Sequence, residues 1–134
     1  MLNPAMKILL VDDSKTMRMI VKKILCQIGF NNIHEAKNGK KGLEKLKNDK
    51  GFNLVLSDWT MPGLNGLDFL KAVRKDEELS NIGFIMISAE SIDEDVEAVL
   101  QQGANAYLTK PFKNEELQKK IESIFLSHDK KNDT

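Results

Sequence analysis

The sequence predicts an α/β fold: a doubly wound, five-stranded parallel sheet with helices on both faces. Short apolar runs alternate along the chain with stretches in which apolar residues recur at helical spacing. The runs are continuously apolar, which is typical of strands covered on both faces in parallel sheets. Four of them are followed directly by an acid, a serine or a lysine. Because ligands bind at the carboxyl ends of such strands, these residues predict a site at one edge of the sheet.

Length and composition predict one domain. A chain of 134 residues with 41% hydrophobic residues suffices for one core but not for two ordinary domains. We expect a single domain over residues 1–127 and, because periodicity stops there, a flexible tail over residues 128–134. The zero net charge gives no sign of nucleic-acid or membrane-surface binding. The single cysteine, Cys26, fits a reducing compartment, and no apolar run suits a signal peptide or membrane span. These features predict a cytoplasmic protein.

The first two strands are predicted over Met6–Val11 and Ile33–Ala36. A helix follows the first strand from Ser14, and Gly29 ends it, since glycine commonly terminates helices. The Asn38-Gly39 turn leads from the second strand into a lysine-rich helix. The apolar stripe of the first helix is Met17, Ile20, Val21, Ile24 and Ile28, and that of the second is Leu43 and Leu46.

Three more strands follow. Leu54–Leu56 is a buried strand that leads to Asp58, just before a turn over Pro62–Gly66. Phe84–Ile87 precedes Ser88, and Ala106–Thr109 precedes Lys110. The third helix stripe is Leu67, Leu70 and Val73, the fourth is Ile92, Val96, Val99 and Leu100, and the last is Leu117, Ile121, Ile124 and Phe125.

Five chemically active side chains should therefore share one edge of the sheet: Asp12, Asp13, Asp58, Ser88 and Lys110. Adjacent carboxylates repel one another, and a hard dication with oxygen ligands relieves the repulsion, so Mg²⁺ is the predicted cofactor. Lys110 and Ser88 suit phosphoryl oxygens, and Asp58 is the predicted nucleophile. Simpler roles stay open: Asp13 as a helix cap, Asp12 as a solvated acid, and Lys110 as a structural partner of Asp58.

These residues resemble the receiver domains of bacterial two-component response regulators. The Asp12-Asp13 pair, Asp58 before Met61-Pro62, Ser88-Ala89 and Lys110-Pro111 match the family pattern in order and spacing from Met6 to Phe125. The resemblance implies a flavodoxin-like sheet with strand order 2-1-3-4-5. Asp58-Trp59, Asn65-Gly66, Ser88-Ala89-Glu90 and Tyr107 make the chain most similar to stand-alone, CheY-like chemotaxis regulators.

The resemblance also implies roles for the site residues. Asp13, Asp58 and the backbone carbonyl of Thr60 would ligate Mg²⁺, with Asp12 in its outer shell. Asp58 would accept a phosphoryl group from a CheA-like histidine kinase, and Lys110 would bind a phosphoryl oxygen. The Lys110-Pro111 peptide bond would be cis.

For the switch, the resemblance implies that Ser88 and Ala89 close on the phosphoryl group while Tyr107 rotates inward, and that Thr60 and Glu90 tune dephosphorylation. Such a protein is a signalling phosphoacceptor, not an enzyme beyond its own phosphotransfer and autodephosphorylation. It is expected to be a monomer, with a flagellar switch protein or a phosphatase as further partners.

Two departures from the pattern bear on that role. Thr60 stands where chemotaxis relatives often have asparagine, which leaves the phosphoryl lifetime open. The acidic run Asp93, Glu94 and Glu97 lies where relatives that bind the flagellar motor often carry a lysine. A phosphate sink or another non-motor signalling role is therefore the alternative to motor control.

Other protein classes fit less well. A haloacid-dehalogenase-type phosphohydrolase needs Asp-x-Asp after the first strand, but Ser14 stands where the second acid belongs. A flavodoxin-like FMN carrier needs a hydroxyl-rich loop there, and the two acids would repel its phosphate. A phosphate-independent docking scaffold would usually have lost part of the acid set.

Overall fold

The computed structural model describes residues 2–89 and 93–126, with the side chains of residues 93–95 left out of the description. Strands and helices alternate throughout, as the sequence predicts. The strands are β1 Lys7–Val11, β2 Asn32–Ala36, β3 Leu54–Asp58, β4 Gly83–Ser88 and β5 Ala106–Thr109. The helices are α1 Lys15–Ile28, α2 Gly39–Asn48, α3 Gly66–Lys75, α4 Asp93–Gln101 and α5 Asn114–Phe125.

All strands are parallel and stand in the order β2-β1-β3-β4-β5, which confirms the predicted fold and strand order. The order reverses after β1: β2 lies on one side of it and β3 on the other. The loops that leave β1 and β3 therefore diverge, and the crevice between them is where open α/β sheets bind ligands. Asp12, Asp13 and Asp58 lie at this position.

The sheet separates two apolar layers. On one face, α2, α3 and α4 cover strand residues such as Val55 and Met86. On the other face, α1 and α5 cover residues such as Leu54 and Ile85. Consecutive strand residues thus point into different layers, and both layers exclude water, which explains why the inner strands β1, β3 and β4 are apolar without alternation over most of their length. The edge strand β2 includes His34 and Glu35 and is mostly only partly buried.

The helices begin where short polar side chains can cap them. The Ser14 hydroxyl accepts a hydrogen bond from the Met17 N–H, and the Asn38 and Asn65 side chains cap α2 and α3 in the same way. Gly29 ends α1 at a φ of 125°, with its N–H bonded to the Leu25 and Cys26 carbonyls. This left-handed conformation favours glycine, as the sequence predicts.

The predicted stripe of α1 is wrong at one position. Ile20 is 45% exposed. Leu25, which is absent from the predicted stripe, is fully buried, and Val21 is buried as predicted. The apolar residues of α1 cover more than one face, so their spacing alone does not identify the face that meets the sheet. Strand β1 also begins at Lys7, one residue later than predicted, with the Lys7 N–H bonded to the Asn53 side chain.

The lower edge of the sheet, at the amino-terminal ends of the strands, is held together by Arg74. Its guanidinium donates to the carbonyls of Gly103, Ser80 and Ile82. A fourth hydrogen bond reaches the side chain of Asn105, which also accepts from the Phe84 N–H. One side chain of α3 thus joins the segments that precede β4 and β5.

Ile92, Glu90 and the predicted boundary between residues 127 and 128 lie outside the described residues. In the part of the chain that is described, none of the helices has both the length and the apolar character needed to span a membrane.

Gly66, the first residue of α3, lies directly against the carboxyl end of β3. Its N–H donates to the Trp59 carbonyl at 2.8 Å, and a Cβ there would approach both Trp59 Cα and Met86 Sδ to 2.8 Å. The Asp58 backbone carbonyl lies in the same space. Only a residue without a side chain allows this approach of α3 to β3.

We expect Gly66→Ala to destabilise the fold by about 1–3 kcal/mol, because the methyl group would force the backbone of α3 away from the backbone at the end of β3. Urea unfolding followed by circular dichroism measures the loss. Gly42→Ala is the matched control: its Cβ would meet side-chain ends of Phe69 and Val11 at 3.1 Å. These ends can shift, and alanine favours the helix, so the change should stay within about 1 kcal/mol. Equal losses in the two variants would contradict this account.

Candidate metal and phosphoacceptor site

Three carboxylates meet at the upper edge of the sheet and form what we call the acidic pocket: Asp12, Asp13 and Asp58. One oxygen from each lies within 4.8 Å of the others. Asp12 is only 8% exposed, Asp58 is partly buried and Asp13 is exposed. The three acids meet at one edge, as the sequence predicts for residues at neighbouring strand ends. The pocket opens from a buried acid on one side to a solvent-facing acid on the other.

The turn after β1 holds Asp12 in place. Its Oδ1 accepts a hydrogen bond from the Ser14 N–H at 2.9 Å, and its own N–H donates to the Ala36 carbonyl on β2. Two of the simpler roles are thereby corrected. Ser14, not Asp13, caps α1, because its hydroxyl reaches the Met17 N–H. Asp12 is buried in the turn rather than solvated.

Lys110 reaches the pocket from the end of β5. Its Nζ lies 3.5 Å from Asp12 Oδ2 and 3.4 Å from Asp58 Oδ1, and the side chain is largely buried. The Lys110 N–H donates to the Ser88 carbonyl, which extends the β4–β5 pairing by one bond. The Lys110-Pro111 bond is cis, which confirms the expectation from the family. One ammonium group is thus shared between two acids.

Burial raises the pKa of the Asp58 carboxyl above its ordinary value of 3.8. The charge of Lys110 opposes this rise, and the neighbouring Asp12 charge adds to it. Within the described residues, the lysine therefore offsets only part of the cost of a charged Asp58. The site favours a further positive charge next to this carboxylate.

The other predicted site residues lie near this edge. Ser88 is the last residue of β4, Ala89 follows it, and Thr60 is exposed in the loop after β3. Tyr107 lies on β5 with 9% of its surface exposed, and its ring meets the edge of the Trp59 ring at 6.1 Å between centroids. Glu90 lies outside the described residues.

Sequence reasoning gave no site role to Arg18, whose guanidinium binds the Asp12 carbonyl and the Glu35 carboxylate. It lies outside the apolar stripe predicted for α1. The spacing was the signal that could have identified it. Arg18 follows Asp12 by six residues in a helix that starts at the same strand end, which leaves it close enough to reach back to the Asp12 backbone.

The donor set of the pocket fits Mg²⁺. The group consists of carboxylates alone, with no thiolate or imidazole, and hard oxygen donors are what Mg²⁺ prefers. Because the outermost acid is exposed, part of the coordination shell would remain open to water or phosphate oxygens, as this ion requires.

Residues 8–122 match the family described as the response regulator receiver domain. Among curated proteins, the chain is 48% identical over 125 residues to chemotaxis protein CheY-3 of Vibrio cholerae, covering 92% of this chain and 95% of the relative. It is 43% identical over 120 residues to chemotaxis protein CheY of Pseudomonas aeruginosa, covering 90% and 96% of the two chains.

Solved structures give the same result. CheY4 of Vibrio cholerae superposes with a TM-score of 0.82 at 30% identity, covering 90% of this chain and 99% of that one. The CheX–CheY–BeF₃–Mg²⁺ complex from Borrelia burgdorferi matches with a TM-score of 0.84 at 30% identity, covering 90% and 89%. The family match, the relatives and the sheet order agree, and the chain therefore belongs to the receiver-domain family of two-component response regulators, with CheY-type chemotaxis proteins among its relatives.

Proposed function

We propose that this protein is a phosphorylation-activated, Mg²⁺-dependent switch of a chemotaxis pathway, with Asp58 as the phosphoacceptor and a CheA-like histidine kinase as the donor. The observation that carries the proposal is the sharing of the Lys110 ammonium between Asp12 and Asp58 in a pocket of three acids. A lysine and several acids around one partly buried carboxylate suit phosphoryl transfer better than they suit fold stability.

In the proposed reaction, an Asp58 oxygen attacks the phosphorus atom of a phosphohistidine, and the phosphorus–nitrogen bond breaks with its electron pair left on the imidazole. Lys110 lies where it can bind a phosphoryl oxygen and oppose its negative charge. Asp13, Asp58 and the Thr60 carbonyl would hold Mg²⁺, with Asp12 in the outer shell. When bound, Mg²⁺ supplies charge neutralisation for the phosphoryl oxygens.

The output of the switch is proposed to run through Ser88, Ala89 and Tyr107. The β4–β5 pairing joins these positions: the Ser88 carbonyl accepts from the Lys110 N–H, and Tyr107 pairs with Met86. A shift of Ser88 toward a phosphoryl group would thus displace the paired residues of β5, where the Tyr107 ring packs against Trp59. Thr60 and Glu90 are the proposed tuners of dephosphorylation.

Chemotaxis is the proposed pathway because the relatives at 43–48% identity are chemotaxis proteins. A CheX-type phosphatase is a reasonable partner, since a CheY at 30% identity forms a complex with CheX. We infer one receiver domain over residues 1–127, acting as a monomer in the cytoplasm. Motor binding and a phosphate-sink role remain the two candidate outputs. The second is favoured by exposed Glu97 on α4.

Trp59 should report activation. It is the only tryptophan and follows Asp58 directly, so addition of beryllofluoride with Mg²⁺ should change its fluorescence. Asp58→Asn should keep the far-ultraviolet circular dichroism of the wild type and lose the fluorescence response. Mg²⁺ without beryllofluoride is the second control and should give a separate, smaller change. Beryllofluoride with Mg²⁺ mimics the phosphoryl group on the aspartate. A wild-type fluorescence spectrum that stays unchanged when both are added would contradict the proposal.

Charge on Asp58 should cost stability in the absence of Mg²⁺. Because burial raises its pKa in the folded state, folding favours the protonated acid, and stability falls as pH rises through the folded-state pKa. Asp58→Asn removes that cost, so the variant should unfold at a higher urea concentration than the wild type at pH 7. The difference should shrink toward pH 3, below the ordinary pKa of 3.8.

Mg²⁺ provides the control for this measurement. It should stabilise the wild type at pH 7 and reduce the gap, while the Asn variant should gain much less. If Asp58→Asn is less stable than the metal-free wild type at pH 7, ionised Asp58 stabilises the fold, contrary to this account.

A further inference from the structure

We propose that Arg18 is a positioning residue of the acidic pocket: it fixes the backbone turn that presents Asp13 to the metal. This inference rests on the proposed function, since it assumes that Asp13 and Asp58 bind Mg²⁺. Arg18 does not belong to the pocket itself and would not touch the ion. Its role would be to hold the peptide that joins Asp12 to Asp13.

The contacts of Arg18 join three elements. From α1, its Nη1 donates to the backbone carbonyl of Asp12 at 2.6 Å, and its Nε donates to Oε1 of Glu35 on β2 at 3.0 Å. The side chain is only 15% exposed. A charged donor on a carbonyl makes a short, strong hydrogen bond, and the planar guanidinium directs its two donors at fixed angles. The guanidinium group is therefore held through two of its nitrogens.

The Asp12 carbonyl matters because it belongs to the peptide unit that leads into Asp13. The other two hydrogen bonds given for Asp12 hold groups on either side of that unit: its N–H donates to the Ala36 carbonyl, and its carboxylate accepts from the Ser14 N–H. Among the hydrogen bonds of the described residues, the bond from Arg18 is the one that holds the carbonyl of the unit itself. Without it, the peptide plane can rotate and carry the exposed Asp13 carboxylate away from Asp58.

Glu35 makes this arrangement compatible with a metal site. An arginine beside a dication would repel it, but the Glu35 carboxylate at 3.0 Å balances the guanidinium charge. Lys22 also pairs with Glu35, at 3.7 Å, but it is 46% exposed. Within the described residues, its ion pair is with Glu35 and not with a group of the Asp12 turn. Lys22 is thus a matched control, because it shares the same acid and helix as Arg18.

Mg²⁺ titrations followed by Trp59 fluorescence test the role of Arg18. Arg18→Met keeps the aliphatic packing and removes both donors, and it should raise the Kd for Mg²⁺ about tenfold or more, as is typical for residues that orient metal ligands. Lys22→Ala should leave the Kd within about twofold of the wild type. Arg18→Lys replaces the guanidinium by a single ammonium group, and its Kd for Mg²⁺ should lie between those of the other two variants. It replaces Arg18→Met in the test if that variant does not fold.

A second readout needs no metal. Amide hydrogen exchange at Asp13 and Ser14 should accelerate in metal-free Arg18→Met and stay at the wild-type rate in Lys22→Ala. A purely structural role would lower the urea midpoint without changing the Kd or this local exchange. An unchanged Kd in Arg18→Met, with Mg²⁺ binding intact in the wild type and lost in Asp58→Asn, would overturn this inference alone. A wild type that binds no Mg²⁺ would overturn the proposed function as well.

Discussion

The mutual repulsion of three carboxylates at one edge of the sheet is the constraint on which the structure of this protein depends. Asp12, Asp13 and Asp58 have oxygens within 4.8 Å of one another, and Lys110 offsets only part of the charge. Free side chains would move apart. Here two of the acids are partly or largely buried at strand ends, so they can separate only if the strands move. The rigidity of the parallel sheet is therefore what keeps the three acids close together.

The packing below the pocket supplies that rigidity. The strands of the pocket are covered on both faces, and Gly66 lets α3 approach the end of β3 at backbone distance. The Asp12 turn is held by the Ser14 N–H, by the Ala36 carbonyl and by Arg18. Each of these contacts uses backbone groups, whose positions vary less than those of side chains. A pocket built in this way can bind a cation without first rearranging.

Much of this arrangement could be predicted from the sequence, because the signals are local. Continuous apolar runs identify buried parallel strands, and an acid, serine or lysine after four of them marks the edge where their ends meet. These signals alone predict that Asp12, Asp58 and Lys110 lie together. They do not rank the acids by burial, because the order depends on how the turn after β1 folds back. They also fail at Ile20 and Leu25, where several apolar faces of α1 compete, and at Arg18, whose partner Glu35 is distant in sequence.

The four hydrogen bonds of Arg74 lie at the opposite end of the molecule from the acids. Two of them, to the Gly103 carbonyl and the Asn105 side chain, tether the loop after α4 to α3. Any movement of α4 that preserves these bonds must therefore leave its carboxyl-terminal end against α3.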